Sequence, residues 1–119
     1  MQAMREQTPE LAEALDIKRK FLFESIAVLD NRDVQKIIRE CDKQDLAKAL
    51  QGVDAVKKKV FQNMSKRARL IMQEEIEYIG EIDSVDVEEA QYKIGNIIRT
   101  LEEHGEIILP ENHENRQNI

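Results

Sequence analysis

SKRARLIMQEEIEYIG, running from Ser65 to Gly80, is the stretch that decides how the chain is read. Ser65 is a favourable N-cap residue and Gly80 a favourable helix stop. Between them Ala68, Met72, Ile76 and Ile79 recur at helical spacing, so they share one face and are expected to be buried. The polar residues carry the less ordinary signal. Lys66, Arg67 and Arg69 fall in the first turns, and Glu74, Glu75 and Glu77 fall toward the end. This polarity opposes the helix dipole, at a cost of about 0.3–1 kcal/mol per misplaced charge at low salt. Local helix stability therefore does not explain it. Arg67 and Glu74, seven apart, lie within ~20° of each other on the half of the cylinder opposite the apolar face. Lys66, Gln73 and Glu77 lie nearby, and Glu75 lies at the edge. The product is a ridge, positive at one end and negative at the other, spanning ~16 Å. Such a ridge suits a partner with the opposite pattern; a solvated helix face is the simpler alternative.

Working outward, the rest of the chain also reads as short capped helices. Thr8-Pro9-Glu10 starts a leading helix through Leu11, Leu15 and Ile17 to about Lys20. Phe21-Leu22-Phe23-Glu24 is an apolar knot beside an expected break. Asp30, Asp42, Asp45 and Asp54 look like caps or turn residues separating short apolar runs. These runs carry Val34, Ile37 and Ile38, then Leu46, Ala49 and Leu50, then Val56, Val60 and Phe61. Asp86 with Glu89 resembles a capping box, with Ser84 a rival cap. The last helix has the stripe Val87, Ala90, Ile94, Ile97, Ile98 and Leu101, reaches about His104 and closes at Gly105. A short extended segment follows to Pro110, and the polar residues beyond it are expected to be disordered. No strand alternation is sustained. The expected fold is all-α: a compact, armadillo-like bundle of about six short helices preceded by one linking helix.

Composition narrows the function. The 119 residues suit one domain, 35% of them are charged, and the net charge is −6. That acidity argues against nucleic-acid binding and against docking on an anionic membrane. No apolar run approaches a membrane span, and Met1 to Gln7 lacks the apolar stretch of a secretory signal, so a cytoplasmic location is expected. Cys41 is the single cysteine and reads as an ordinary small core residue. No metal-ligand spacing or phosphate-cradling glycine loop is present, and adjacent acids such as Glu74-Glu75 point about 100° apart on a helix. The expectation is no enzyme, no metal and no cofactor. Lys57-Lys58-Lys59 is the sole basic run, and a solvated helix face explains it.

Several motifs together carry a resemblance. Asn63-Met64-Ser65-Lys66-Arg67-Ala68 resembles the N-M-S-x-R-A motif in the C-terminal domain of the FliG family of flagellar motor switch proteins. Asp86 to Gln91 resembles its D-V-E-x-A-Q motif, and Leu101 to Ile107 its L-x-E-x-G-E-I ending. Phe21-Leu22-Phe23-Glu24 is similar to the M-F-x-F-E hinge, with Lys20 in place of Met. Leu29 to Arg32 and Asp45 to Leu50 fit as well, so the match runs in order from about Lys20 to Leu109. The resemblance implies a rotor protein at the cytoplasmic face of the flagellar basal body, peripheral to the inner membrane and without direct membrane insertion. Its implied partners are the stator's cytoplasmic loop, other switch-complex proteins and neighbouring copies in a ring. By the same resemblance the family's Arg falls on Arg67 and its acidic pair on Glu74 and Glu75. The hinge of Phe21, Leu22 and Phe23 is implied to be a flexible joint linked to switching, with both rings expected to pack. Residues 1–20 are then the end of a preceding armadillo-like unit, 21–24 the hinge, 25–109 the rotor domain and 110–119 a disordered tail. The family's N-terminal region and its middle-domain E-H-P-Q-R motif are not in this sequence, so it reads as a fragment.

Two positions depart from the family pattern. Gln51 stands where A-L-K-G has Lys, and Asp83 stands where G-P-V-R has Arg. Two positive charges are lost and one becomes negative. The alternative reading is accordingly a divergent paralogue, or a helical adaptor, without a direct torque role.

Overall fold

The computed structural model describes residues 14, 15 and 17–109, so the expected helix start at 8–10 and the expected tail at 110–119 lie outside the described residues. The leading helix α1 is described at 14, 15 and 17–24. It passes into a 3-10 turn, Ser25–Val28, and then come α2 (Asn31–Glu40) and α3 (Lys43–Ala49). A second 3-10 turn, Leu50–Gly52, leads to α4 (Asp54–Gln62), α5 (Lys66–Ile79) and α6 (Ser84–Glu103). The described residues contain no strand. The architecture is all-α, as the periodicity predicts.

The helix starts follow from capping chemistry. The Asp42 carboxylate accepts from the Gln44 and Asp45 amides at 3.0 and 3.2 Å, and the Ser65 hydroxyl accepts from the Ala68 amide at 3.1 Å. Each bond satisfies a donor the first turn leaves free. Asp30 caps α2 in an extended conformation without a side-chain bond. Asp45 and Asp54 are not caps but first-turn residues of α3 and α4, where their charge favours the positive end of the helix dipole. The expected capping box at Asp86 and Glu89 does not form. Asp83 adopts extended backbone and its carbonyl accepts from the Val87 amide at 3.1 Å, so α6 nucleates earlier and Asp86 falls inside its first turn.

The core is built around α6, which packs on α3 and buries Ala90, Ile94, Ile98 and Leu101. Val34 and Ile37 enter from α2, and Val56 and Val60 from α4, which lies against the Ser25–Val28 turn. The chain after α6 closes the far side. Ile107 and Leu109 are buried, Asp33 accepts from the Ile108 amide at 3.2 Å, and the Lys36 ammonium donates to the Glu106 carbonyl at 2.7 Å.

At its other end the core receives α1. A side-chain carbon at Gly95 would lie 2.9 Å from the carbonyl carbon and from Cα of Arg19, so the two helices cross in backbone contact there. The Arg19 guanidinium donates to Asn96 at 3.1 Å beside that crossing, and Lys20 pairs with Glu88 at 4.0 Å.

The apolar knot behaves differently from the expectation. The helix passes its expected end near Lys20 and runs through Phe21, Leu22, Phe23 and Glu24, and the break beside the knot comes directly after it, at the 3-10 turn that starts with Ser25. Residues two apart on a helix point about 200° apart, so the two rings cannot share a face. Phe23 is fully buried and Leu22 is buried beside it, whereas Phe21 is 58% exposed. The expectation that both rings pack is therefore corrected for Phe21. Among the described residues, no helix is long and apolar enough to cross a membrane.

Candidate functional site

Helix α5 sits at the margin of the bundle. Its main packing partner is α3, and Met72 is its sole fully buried residue. Ala68, Ile76 and Ile79 are half-buried rather than buried, since one neighbouring helix covers only part of a helical face. Gly80 ends the helix at φ 67°, a backbone conformation that a side chain would strain, and its amide donates to the Ile76 carbonyl at 3.0 Å.

Lys66, Arg67, Glu74 and Glu77 are all exposed, and Glu75 is half-buried at the edge of the helix. Arg69 is exposed as well. Among the described residues no ion pair engages any of them; pairs elsewhere join Lys20 to Glu88, Lys93 to Asp45 and Arg99 to Glu103. No acid stands in the first turn of α5 and no base in its last, so the ridge keeps its unfavourable polarity toward the helix dipole.

Apolar side chains share this ridge. Leu70 is 54% exposed and Tyr78 is 86% exposed, each four residues from Glu74. Ile71, half-exposed, continues the surface sideways into a groove of about 310 Å³ lined by Ile38, Cys41, Met64 and Met72 among others. The angular projection that isolates the charged residues also places Leu70 and Tyr78 among them. Their apolar character on a polar face was the available signal.

Cys41 lines the same groove and packs partly against the core. Burial, reinforced by Asp45, Glu40 and Asp42, pushes its thiol up to about 12. It is held as a thiol and is a poor nucleophile, in keeping with a packing residue. In the basic run, the Lys57 ammonium lies 5.9 Å from the centroid of the Phe61 ring, and Lys58 is exposed.

The two departed positions come close together. Gln51 and the residues flanking Asp83, Ile82 and Ser84, line one recess of about 380 Å³. Gln91 closes its floor and donates to the Ala49 carbonyl at 3.2 Å, which fixes the turn that carries Gln51. The Nε2 of Gln51 and the Oε1 of Gln91 are buried without hydrogen-bond partners among the described residues. Asp83 is the N-cap residue of α6, where an acid is favoured and the family's base would be opposed. Phe21, Leu22 and Phe23, the expected hinge, lie elsewhere, on the helix that crosses α6.

Comparison with known proteins bears on the chain as a whole. The family model described as the FliG C-terminal domain matches residues 2–109. The flagellar motor switch protein FliG of Thermotoga maritima is 50% identical over 110 residues, covering 92% of this chain and 32% of that protein. FliG of Borreliella burgdorferi is 48% identical over the same length, with the same coverage of each. The chain thus spans about a third of the length of these curated relatives. Among solved structures, a crystal structure of FliG from H. pylori superposes with a TM-score of 0.69 at 40% identity, covering 71% of this chain and 38% of that one. Full-length FliG from Aquifex aeolicus gives a TM-score of 0.66 at 38% identity, covering 70% of this chain and 26% of that one.

Proposed function

Since the chain belongs to the FliG C-terminal domain family, we propose that it is a rotor component of a flagellar motor switch, and that α5 is the surface it offers to the stator. Its place is the cytoplasmic face of the basal body, with other switch-complex proteins and further copies of itself as neighbours. The observation that carries this reading is the ridge of Lys66, Arg67, Glu74 and Glu77, exposed and without internal ion pairs among the described residues. It opposes its own helix dipole and contributes nothing evident to the fold, so a partner is the natural reason for it. Complementary charge selects partners and speeds encounter more than it adds affinity, which suits a contact made and broken in every step of a rotating machine. Glu75, at the edge, flanks the contact. Nothing in this role needs catalysis, a metal or a cofactor.

The segment Phe21-Leu22-Phe23 acts as the joint through which α1 communicates with the bundle. Phe23 and Leu22 anchor it in the core, and Phe21 remains available outside.

The test is a compensation experiment in the native host. Arg67→Glu with Glu74→Lys should impair swimming, and reversing the matching charges on the stator's cytoplasmic loop should restore it. Failure of every such compensation, with the variant folded and present at normal levels, favours the adaptor reading.

A further inference from the structure

The recess of about 380 Å³ between the end of α1, the Leu50–Gly52 turn and the start of α6 has a polar floor that the fold leaves incomplete. Gln91 is 2% exposed, and its Nε2 is committed to the Ala49 carbonyl. That bond fixes which end of the amide is which, so Oε1 remains an acceptor, and no donor reaches it among the described residues. A buried acceptor is costly to leave unpaired, so its place in the floor calls for a donor. The Gln51 amide, held by no hydrogen bond among the described residues, is free to turn its own oxygen inward as a second acceptor. Gly52 keeps the floor open. A side-chain carbon there would stand 2.6 Å from Nε2 of Gln91 and 3.0 Å from Cγ1 of Val87.

The rim is acidic. Glu24 and Glu88 line it, and Asp83 lies between the lining residues Ile82 and Ser84. Lys20 lines it as well, but its pair with Glu88 is long, at 4.0 Å, and both side chains are nearly half-exposed. Val53, Ile82 and Val87 give the recess an apolar wall. A buried acceptor, acids above it and an apolar wall between them suit a flat cation with several N–H donors on an aliphatic stem. We propose that this recess receives an arginine side chain of a partner protein. The guanidinium donates to Oε1 of Gln91 at the floor and to Glu24 or Glu88 at the rim. No residue of the α5 ridge takes part, so the site stands apart from the stator reading.

The experiment titrates the whole chain with N-acetylarginine amide at constant ionic strength and follows it by NMR. N-acetylcitrulline amide, of the same shape without the charge, is titrated beside it. The side-chain amide of Gln91 and the backbone amides of Gly52 and Ser84 should shift and saturate with arginine, and citrulline should bind at least about tenfold more weakly. Glu24→Gln with Glu88→Gln should weaken arginine binding by a similar factor. Glu40→Gln with Glu106→Gln, at exposed acids outside the recess, should leave it unchanged. Gln91→Leu, shown folded by circular dichroism, should weaken it too. Shifts that never saturate, or equal binding of arginine and citrulline, overturn the proposal. So does either recess variant binding like wild type, or the outer pair of substitutions weakening binding as much as the recess pair. Tighter binding of N-acetyllysine amide would make the recess a site for an ammonium, and that also overturns it.

Discussion

Replacing Lys66 and Arg67 together by glutamate should stabilise the domain while stopping the motor. Ser65 caps α5, so these two residues occupy its first two helical positions, where the free amides and the positive end of the dipole lie. Both are exposed and neither belongs to an ion pair among the described residues, so the substitution removes no contact. Each reversal relieves one unfavourable interaction and adds one favourable one, and four such contributions of about 0.3–1 kcal/mol give a gain on the order of 1–4 kcal/mol at low salt. For a domain of this size that is a rise in Tm of several degrees, at roughly 4–8 °C per kcal/mol. The acids are not equivalent to the bases in this respect. Because the helix ends at Ile79, Glu77 falls in the last turn but Glu74 and Glu75 lie further in. Reversing Glu74 and Glu75 should therefore leave Tm nearly unchanged. The assay is thermal melting at low salt and near 1 M salt, where the Debye length of ~3 Å screens the gain away. Swimming of the same variant in the native host is scored beside it. A fall in Tm would show that Lys66 or Arg67 has a structural partner. Normal swimming would return the ridge to a solvated helix face.

Gly95→Ala should cost about 1–3 kcal/mol, because the new methyl enters the Arg19 backbone and α1 must move off α6; denaturant melts check the stability, and the proton resonances of Phe23 report the displacement. Gln91→Leu removes the bond to the Ala49 carbonyl, for a loss of about 0.5–1.5 kcal/mol; an unchanged denaturation midpoint would show that the turn at Gln51 holds itself. Cys41 should react slowly with iodoacetamide at pH 8 in the native protein and readily in urea. Its thiol pKa is raised on folding from 9.0 to about 12, so its share of stability is intact below pH 9 and lost as pH climbs toward 12; Cys41→Ala should flatten that part of the alkaline stability profile.

The sequence made the helices legible where one strong period and one strong cap coincide. Ser65 to Gly80 satisfies both, and α5 spans Lys66–Ile79 as read. The stripe of α6 was equally clear, but its start was not. Asp83, Ser84 and Asp86 are all competent caps, and the choice among them depends on where the chain leaves α5, which is a tertiary matter. The Phe21 to Glu24 knot departs from its expected packing for a related reason. Apolar density suggests that both rings pack, whereas the helix continues past Lys20 to Glu24, breaks only at Ser25 and turns Phe21 outward. Gly95 could not be understood from sequence, since its role is the passage of α1 across α6. The charged ridge was visible because it violates a local rule. Leu70 and Tyr78 were hidden because an apolar residue in a helix is ordinarily assumed to face inward.

The position of α5 also accounts for how the two departed residues are accommodated. The core is assembled by α2, α3, α4 and α6 with the Ser25–Val28 turn and the end of α1, and α5 adds one buried side chain to it. Charge on α5 is therefore free to follow a partner without endangering the fold, and the conflict with its dipole is a small cost against a core of this size. Gln51 and Asp83 are under a different constraint, because Gln51 lines a recess of the bundle and Asp83 starts α6 between two of the recess's lining residues, Ile82 and Ser84. There Asp83 favours the start of α6, and Gln91 holds the turn of Gln51 in place. Restoring the family's bases by Gln51→Lys with Asp83→Arg should consequently act in the opposite sense to Lys66→Glu with Arg67→Glu. It should lower Tm by removing an acid from a helix N-terminus, by about 0.3–1 kcal/mol, and the loss should shrink at high salt. If the host's stator loop is matched to the departed pair, swimming falls as well. If the pair is neutral for the motor, swimming is unchanged while Tm still drops, and the departure is then a local adjustment of α6 rather than a change of partner.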